Sequence, residues 1–252
     1  MINVYLLHGF LGKPSDWIIF EGYLSECFKN TTKKINIIKP DLYEDIELCA
    51  FPKWSRLFNG RVYSKDSGHE NILIGYSLGG RLATEVFLSE PANWSQVHLI
   101  SSQFGLKTQT ERLNRLKNDR RWAERFSAEP YVRVIEDWNK QLIFTGSAEA
   151  ERLEGDYDRK KLVWILQNWS LAKHEDLYLE LRKWSQTDSK FGKDKLNWYC
   201  GERDLKYLQL KKEIELECPF IQTVTIAESG HRVLFDQTQS LAEVISQALF
   251  KV

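Results

Sequence analysis

Several features that would set a chain apart from ordinary globular enzymes are scarce here. Cysteine occurs four times in 252 residues, as Cys27, Cys49, Cys200 and Cys218, with no C-x-x-C pair. That spacing excludes a zinc pattern and a disulfide framework. No apolar run approaches the ~20 residues that a membrane span requires. The opening MINVYLLHGF lacks a basic stretch ahead of a long apolar one, so it reads as a strand and not as a signal peptide. There is no excess of either charge, since 35 basic and 35 acidic side chains cancel. The broad basic field that nucleic acid would call for is therefore missing. Long internal repeats and low-complexity tracts are absent too. The expectation is a cytoplasmic protein with neither nucleic acid nor membrane as partner, acting as a monomer or small homo-oligomer.

What is present is an α/β pattern. The composition, 42% hydrophobic and 28% charged, suffices for a sizeable core, and the length suits one large α/β domain or a domain carrying an insertion. Short apolar runs at 4–7, 35–38, 72–74, 97–100, 196–199 and 221–226 alternate with helical stretches, the signature of a mostly parallel sheet with crossover helices on both faces. Leu78, Leu82, Ala83, Val86 and Phe87 recur at helical spacing, as do the apolar residues of 241–249. Residues 103–186 differ. They hold no convincing strand, are rich in charge and repeat aromatic residues, with helical patterning in TERLNRLKNDRRWAERF and DRKKLVWILQNWSLA. The expected organisation is a core of residues 1–102 and 187–252 interrupted by a helical lid at 103–186.

The third apolar run leads directly into G-Y-S-L-G. A strand running into G-x-S-x-G puts Ser77 on a sharp strand-to-helix turn, where Gly75 and Gly79 relieve backbone crowding and the hydroxyl stands clear of the sheet. A serine nucleophile needs a base, and the base needs a carboxylate to orient it. Two later segments supply these in the order Ser, Asp, His: Asp204 follows the run in LNWYCGERD, and His231 follows the run in IAESGHR. Each falls at the carboxyl end of a predicted strand, where open α/β sheets bind their ligands. Alone, Asp204 could cap a helix or pair with Arg203, and His231 could be an ordinary loop residue. Together with Ser77 they form a candidate triad. His69, His98 and His174 lie in or beside core strands or in the insertion and are weaker candidates for the base. After the first strand, HGF supplies a loop in which Gly9 permits close approach. The backbone amides of Phe10 and Leu78 are the candidate oxyanion hole, at about 3 kcal/mol of transition-state stabilisation each. His8 is expected to be structural within that loop.

HGFLG, GYSLGGR, CGERD and SGH, in this order, resemble the α/β-hydrolase superfamily. Within it, GYSLGGRLA, RLNRLKNDRRWAERF, EDWNKQLIF and CGERDLKY resemble the 2-succinyl-6-hydroxy-2,4-cyclohexadiene-1-carboxylate synthases of menaquinone biosynthesis. The resemblance implies a lyase that needs no cofactor. In that family the triad removes a proton from a succinyl-bearing cyclohexene carboxylate, and pyruvate is eliminated. It also implies a small anionic substrate bound by Tyr76, Arg81, Arg115 and Trp138. Arginine suits such a role because its planar fork binds carboxylates bidentately. The family's additional lid arginine has no obvious counterpart, with Arg152 and Arg159 both open. The loop PDLYED replaces the usual P-G-H-G turn, and the antiparallel strands that often open the fold have no room, which leaves a sheet edge to protect. The alternative is a carboxylesterase or thioesterase, including pimeloyl-type methyl esterases, working through an acyl-Ser77 intermediate. A non-catalytic binding protein on the same fold is disfavoured by retention of all three triad residue types.

Overall fold

The computed structural model describes residues 1–44, 48–62, 68–187 and 195–250. Six strands, β1 (Ile2–Leu7), β2 (Ile35–Ile38), β3 (Glu70–Tyr76), β4 (Gln96–Ile100), β5 (Leu196–Gly201) and β6 (Gln222–Ile226), form one sheet in the order β2-β1-β3-β4-β5-β6. Every pairing is parallel. The apolar runs read from sequence therefore each became a strand, extended by up to two residues at either end, with 221 falling just outside β6. No antiparallel strand opens the sheet among the described residues. The edge strands are β2 and β6, four and five residues long, and their brevity limits them as templates for pairing with another chain. Asp45, the last residue of PDLYED, lies outside the described residues.

Alternation along the strands builds two cores. Val4, Leu6, Ile72 and Ile74 point to one face, against Trp17, Phe20 and Leu24 around α1 (Ile18–Phe28) and residues of the C-terminal helix. Tyr5, Leu7, Leu73, Val97, Leu99 and Trp198 point to the other. Burial on both faces explains why these strands read as continuous apolar runs. The second face is covered by α2 (Phe51–Asn59), α3 (Leu78–Ser89) and the chain between β4 and β5.

That connection forms α4 (Gln109–Ala128), α5 (Tyr131–Asn139), α6 (Arg159–Asn168) and α7 (Leu177–Thr187), with no strand among the described residues. A capping box starts α4: Glu111 N donates to Thr108 Oγ1 at 3.2 Å, and Thr108 N donates to Glu111 Oε2 at 2.9 Å. The chain ends with α8 (Leu205–Glu217), a single turn α9 (Val233–Asp236), and α10 (Thr238–Phe250). No helix among the described residues is long and apolar enough to cross a membrane.

Where the α4–α7 connection meets α3, the contact includes buried polar groups. His174 is buried edge-on against Phe51, and neither ring nitrogen has a hydrogen-bond partner. Its Nε2 lies 3.6 Å from Glu85 Oε1. Burial lowers the imidazole pKa to about 3. Burial, reinforced by nearby Glu175, raises the Glu85 carboxyl to about 7. A carboxyl with a raised pKa binds its proton more tightly in the folded state, so folding stability falls as pH climbs from the unfolded value of about 4.5 through 7. Glu85→Gln removes this penalty. The variant should exceed the wild type by about 1–3 kcal/mol at pH 8 and match it near pH 4. Urea unfolding at the two pH values measures this, and an equal difference at both would assign the effect to packing.

Candidate active site

The turn after β3 is strained as the motif requires. Ser77 has φ 53° and ψ −109°, a left-handed backbone in a residue with a Cβ. Its amide is fixed by donation to Ile100 O at 2.8 Å, and its carbonyl accepts from Arg81 N at 3.2 Å. The start of α3 then passes directly beneath the end of β1. A Cβ on Gly79 would sit 2.1 Å from Leu7 O and 2.5 Å from His8 O, so no larger residue fits there. This crossing brings the HGF loop alongside the serine. A Cβ on Gly9 would lie 3.1 Å from the Tyr76 ring and 3.5 Å from Ser77 Cβ.

The loop is held by His8, which is fully buried. Its Nε2 accepts from Leu42 N at 3.1 Å, which leaves Nδ1 as the donor to Gly9 O at 2.9 Å. Both ring nitrogens are used in shaping the loop, as expected of a structural histidine. The amides of Phe10 and Leu78 make no backbone hydrogen bond among the described residues. Leu78 is the first residue of α3, where an amide has no partner within the helix.

The other two chemical groups approach from β5 and β6. Gly201 makes the approach possible, because a Cβ there would fall 2.1 Å from Gly230 O. Asp204 N-caps α8, with Oδ1 accepting from Tyr207 N at 3.2 Å, while its Oδ2 accepts from His231 Nδ1 at 2.8 Å. Helix cap and imidazole partner are thus the same carboxylate. His231 Nε2 is 3.5 Å from Ser77 Oγ, at the long end of hydrogen bonding, as is common before substrate tightens such a contact. His231 and Asp204 are both nearly inaccessible, at 3% and 5%. His98, by contrast, is a core residue. Its ring bonds Tyr199 Oη and Gln96 Oε1, and burial lowers its pKa to about 3.

A cavity of about 130 Å³ opens above Ser77. Arg81, Arg115 and Trp138 all line it. Arg81 is 8% exposed and has no carboxylate partner among the described residues. Its Nη1 donates to Trp169 O at 2.9 Å. Burial, and then the neighbouring Arg115, bring its pKa down to about 9. Arg115 is tied through Nε to both oxygens of Asp119, at 2.9 and 2.8 Å. Trp138 packs against Phe10, with ring centroids 5.0 Å apart. The sequence reading missed Lys206 at the mouth of the cavity. Its signal was its place two residues after Asp204, on the first turn of α8. Gln103 and Asn118 also line the cavity, and nothing in their sequence context singled them out. With Arg81, Arg115 and Lys206 set against Asp119, the lining has a formal charge of +2.

Tyr76 lines a second chamber at Ser77, which shares Phe10, Ser77, Trp138 and Phe144 with the cavity of Arg81 and Arg115. As a strand residue adjacent to Ser77, its side chain leaves the opposite face of the sheet.

No family model matches the chain. It is 30% identical over 182 residues to the 2-succinyl-6-hydroxy-2,4-cyclohexadiene-1-carboxylate synthase of Escherichia coli O1:K1, covering 70% of this chain and 67% of that one. The chain belongs to this synthase family. A full-length relative, 29% identical over 265 residues and covering 100% of this chain and 99% of its own, is the Haemophilus influenzae protein named "Putative 2-succinyl-6-hydroxy-2,4-cyclohexadiene-1-carboxylate synthase". Among solved structures, MenH from S. aureus superposes with a TM-score of 0.80 at 20% identity, covering 99% of this chain and 93% of its own. A carboxylesterase of Nitrososphaera gargenis does so with 0.73 at 13% identity, covering 100% and 92%. Both share the α/β-hydrolase fold with this enzyme.

Of the two arginines considered as counterparts of the synthase family's additional lid arginine, Arg159 lines neither space at the serine. It donates to the backbone carbonyls of Phe126 and Glu129, at 2.6 and 2.5 Å, and so joins α6 to the end of α4. Arg152 lines the chamber with Tyr76. The double duty of Asp204 makes it the most informative position to change. Asp204→Asn keeps an acceptor for Tyr207 N but forces the wrong imidazole tautomer. Turnover should fall about 10³–10⁴-fold with little change in melting temperature. Asp204→Ala should lose the same activity and also about 1 kcal/mol of stability. Parallel rate and melting measurements on both variants check this, and undiminished turnover in Asp204→Asn would remove the carboxylate from the mechanism.

Proposed function

We propose that this chain is the pyruvate-eliminating synthase, a carbon–oxygen lyase that forms 2-succinyl-6-hydroxy-2,4-cyclohexadiene-1-carboxylate in menaquinone biosynthesis. The observation that carries the reading is Arg81. A guanidinium buried beside the serine without a carboxylate partner is costly unless a ligand anion completes it. A simple ester would leave it unpaired, whereas a polycarboxylate substrate would not.

In this mechanism Asp204 orients His231 and stabilises its protonated form. His231 takes the Ser77 proton, and the Ser77 oxygen removes the ring proton next to the succinyl ketone. Charge developing on the ketone oxygen is met by the amides of Phe10 and Leu78. The electron pair moves through the ring and the bond from ring carbon to enol-ether oxygen breaks. The three-carbon fragment leaves as the enolate of pyruvate and is protonated to pyruvate, returning the proton held by His231. Arg81 and Arg115 hold carboxylates of the substrate, Trp138 provides an apolar wall, and the helices at 103–186 act as a lid that keeps the site dry.

A second reading is favoured by the Ser77–His231–Asp204 arrangement itself, which would equally serve a carboxylesterase or thioesterase through an acyl-serine. The two separate in one assay. The synthase releases pyruvate and generates conjugated-diene absorbance from the pathway intermediate, with weak turnover of p-nitrophenyl esters. Strong ester turnover with no pyruvate would establish the esterase. Under the synthase reading, Arg81→Ala should lower kcat/KM for the pathway intermediate at least about 100-fold, the loss of a charge-assisted carboxylate contact, and barely alter p-nitrophenyl ester cleavage. Equal losses on the two substrates would make Arg81 a structural residue.

A further inference from the structure

Arg81 is not the only buried guanidinium beside the serine that lacks a carboxylate. A chamber of about 60 Å³ shares Phe10, Ser77 and Trp138 with the Arg81 cavity and is lined also by Tyr76, Arg152 and Arg232. That space is enough for a few waters or one small carboxylate-bearing arm. Arg232 is 7% exposed. Its bonds go to neutral groups only, Nη1 to Ala148 O at 2.9 Å and Nη2 to Asn139 Oδ1. The guanidinium lies 4.1 Å from the centre of the Phe144 ring.

The carboxylates that could neutralise it are engaged elsewhere. Asp16 is held by both Nη atoms of Arg152, at 2.7 and 2.8 Å, and accepts from Lys13 N at 3.1 Å. Asp236 accepts from Gly230 N at 2.8 Å and Ala148 N at 2.6 Å. Glu149 is bonded to Asn139 at 3.4 Å and forms no ion pair with Arg232. Arg152 adds a second cation to the chamber wall, with its guanidinium over the Phe235 ring at 5.6 Å. The Tyr76 hydroxyl has no described hydrogen-bond partner and can donate into the same space. A like-charged neighbour, an aromatic wall and an unneutralised fork are the elements of a carboxylate receptor.

We propose that the Arg232–Arg152–Tyr76 chamber is a second carboxylate subsite, adjoining that of Arg81 and Arg115 at Ser77. Its occupant is the carboxylate of the three-carbon arm that leaves as pyruvate. The identity of the arm rests on the synthase reading, while carboxylate binding does not. With Ser77 in the wall of both subsites, a substrate with carboxylates at both ends spans the nucleophile, and the scissile carbon–oxygen bond lies between two fixed anchors.

Pyruvate itself is the probe. Calorimetric titration should show it binding to the wild-type protein and binding roughly tenfold more weakly to Arg232→Gln, the loss expected for a charge-assisted contact. Ala150→Phe fills the chamber while leaving the partners of Arg232 in place, so it keeps the test available if Arg232→Gln folds poorly. It should also weaken pyruvate binding. Arg81→Gln tests the competing site, since the Arg81 cavity can also take a carboxylate: pyruvate held in the chamber should lose more affinity in Arg232→Gln than in Arg81→Gln. The proposal is overturned by absence of pyruvate binding to the wild type, by unchanged affinity in both chamber variants, or by a loss in Arg81→Gln that matches or exceeds the loss in Arg232→Gln. Chamber-dependent binding in a protein that releases no pyruvate from the pathway intermediate would support the subsite and dismiss the synthase reading.

Discussion

The close crossing of α3 beneath the end of β1 is the contact on which the rest of this site depends. Gly79 lies so near Leu7 O that a single added carbon would collide with it. Because the two backbones touch there, the loop leaving β1 must pass the serine within van der Waals distance. Two amides from different elements are then available at one point. The strain at Ser77 is the local cost of this geometry, offset by the buried sheet on which both elements stand. A second glycine contact, Gly201 under Gly230, does the same for the carboxylate and the imidazole. Two backbone-to-backbone approaches thus position all three chemical groups before any side-chain packing is considered.

Much of this was legible in the sequence because parallel strands buried on both faces leave continuous apolar runs, and because chemistry at their carboxyl ends sits at predictable offsets. Ser77, Asp204 and His231 each follow such a run. The helical nature of 103–186 was legible from its periodicity. The side to which each residue points was less so. The resemblance groups Tyr76 with Arg81, and Tyr76 lines an adjoining chamber, with Ser77 in the wall of both spaces. Arg232 carries no signal in the sequence, since it opens the largely apolar stretch RVLFDQT. Its burial without a counter-ion emerges only when Asp16 and Asp236 are seen to be committed elsewhere. Charge pairing is a three-dimensional property, and the neutral overall composition conceals it.

The electrostatics of the two spaces at Ser77 follow one rule. Thirty-five charges of each sign allow most side chains to pair, and around this site Arg115, Arg125 and Arg152 do so with Asp119, Glu129 and Asp16. Arg81 and Arg232 form no ion pair among the described residues, and both are buried and border Ser77. A fold has no stability reason to bury an unpaired guanidinium. Under the proposed function, the missing counter-charges arrive with the substrate.

The double commitment of Asp204 bears on how relatives of this protein should be read. One oxygen closes the first turn of α8 and the other orients the imidazole. A descendant that abandoned chemistry could exchange Ser77 or His231 without exposing a helix end, but discarding Asp204 would unpin α8. Persistence of the aspartate in a distant copy is therefore weak testimony to activity, since folding alone would retain it. The serine and the histidine are the residues whose survival reports that the reaction is still under selection.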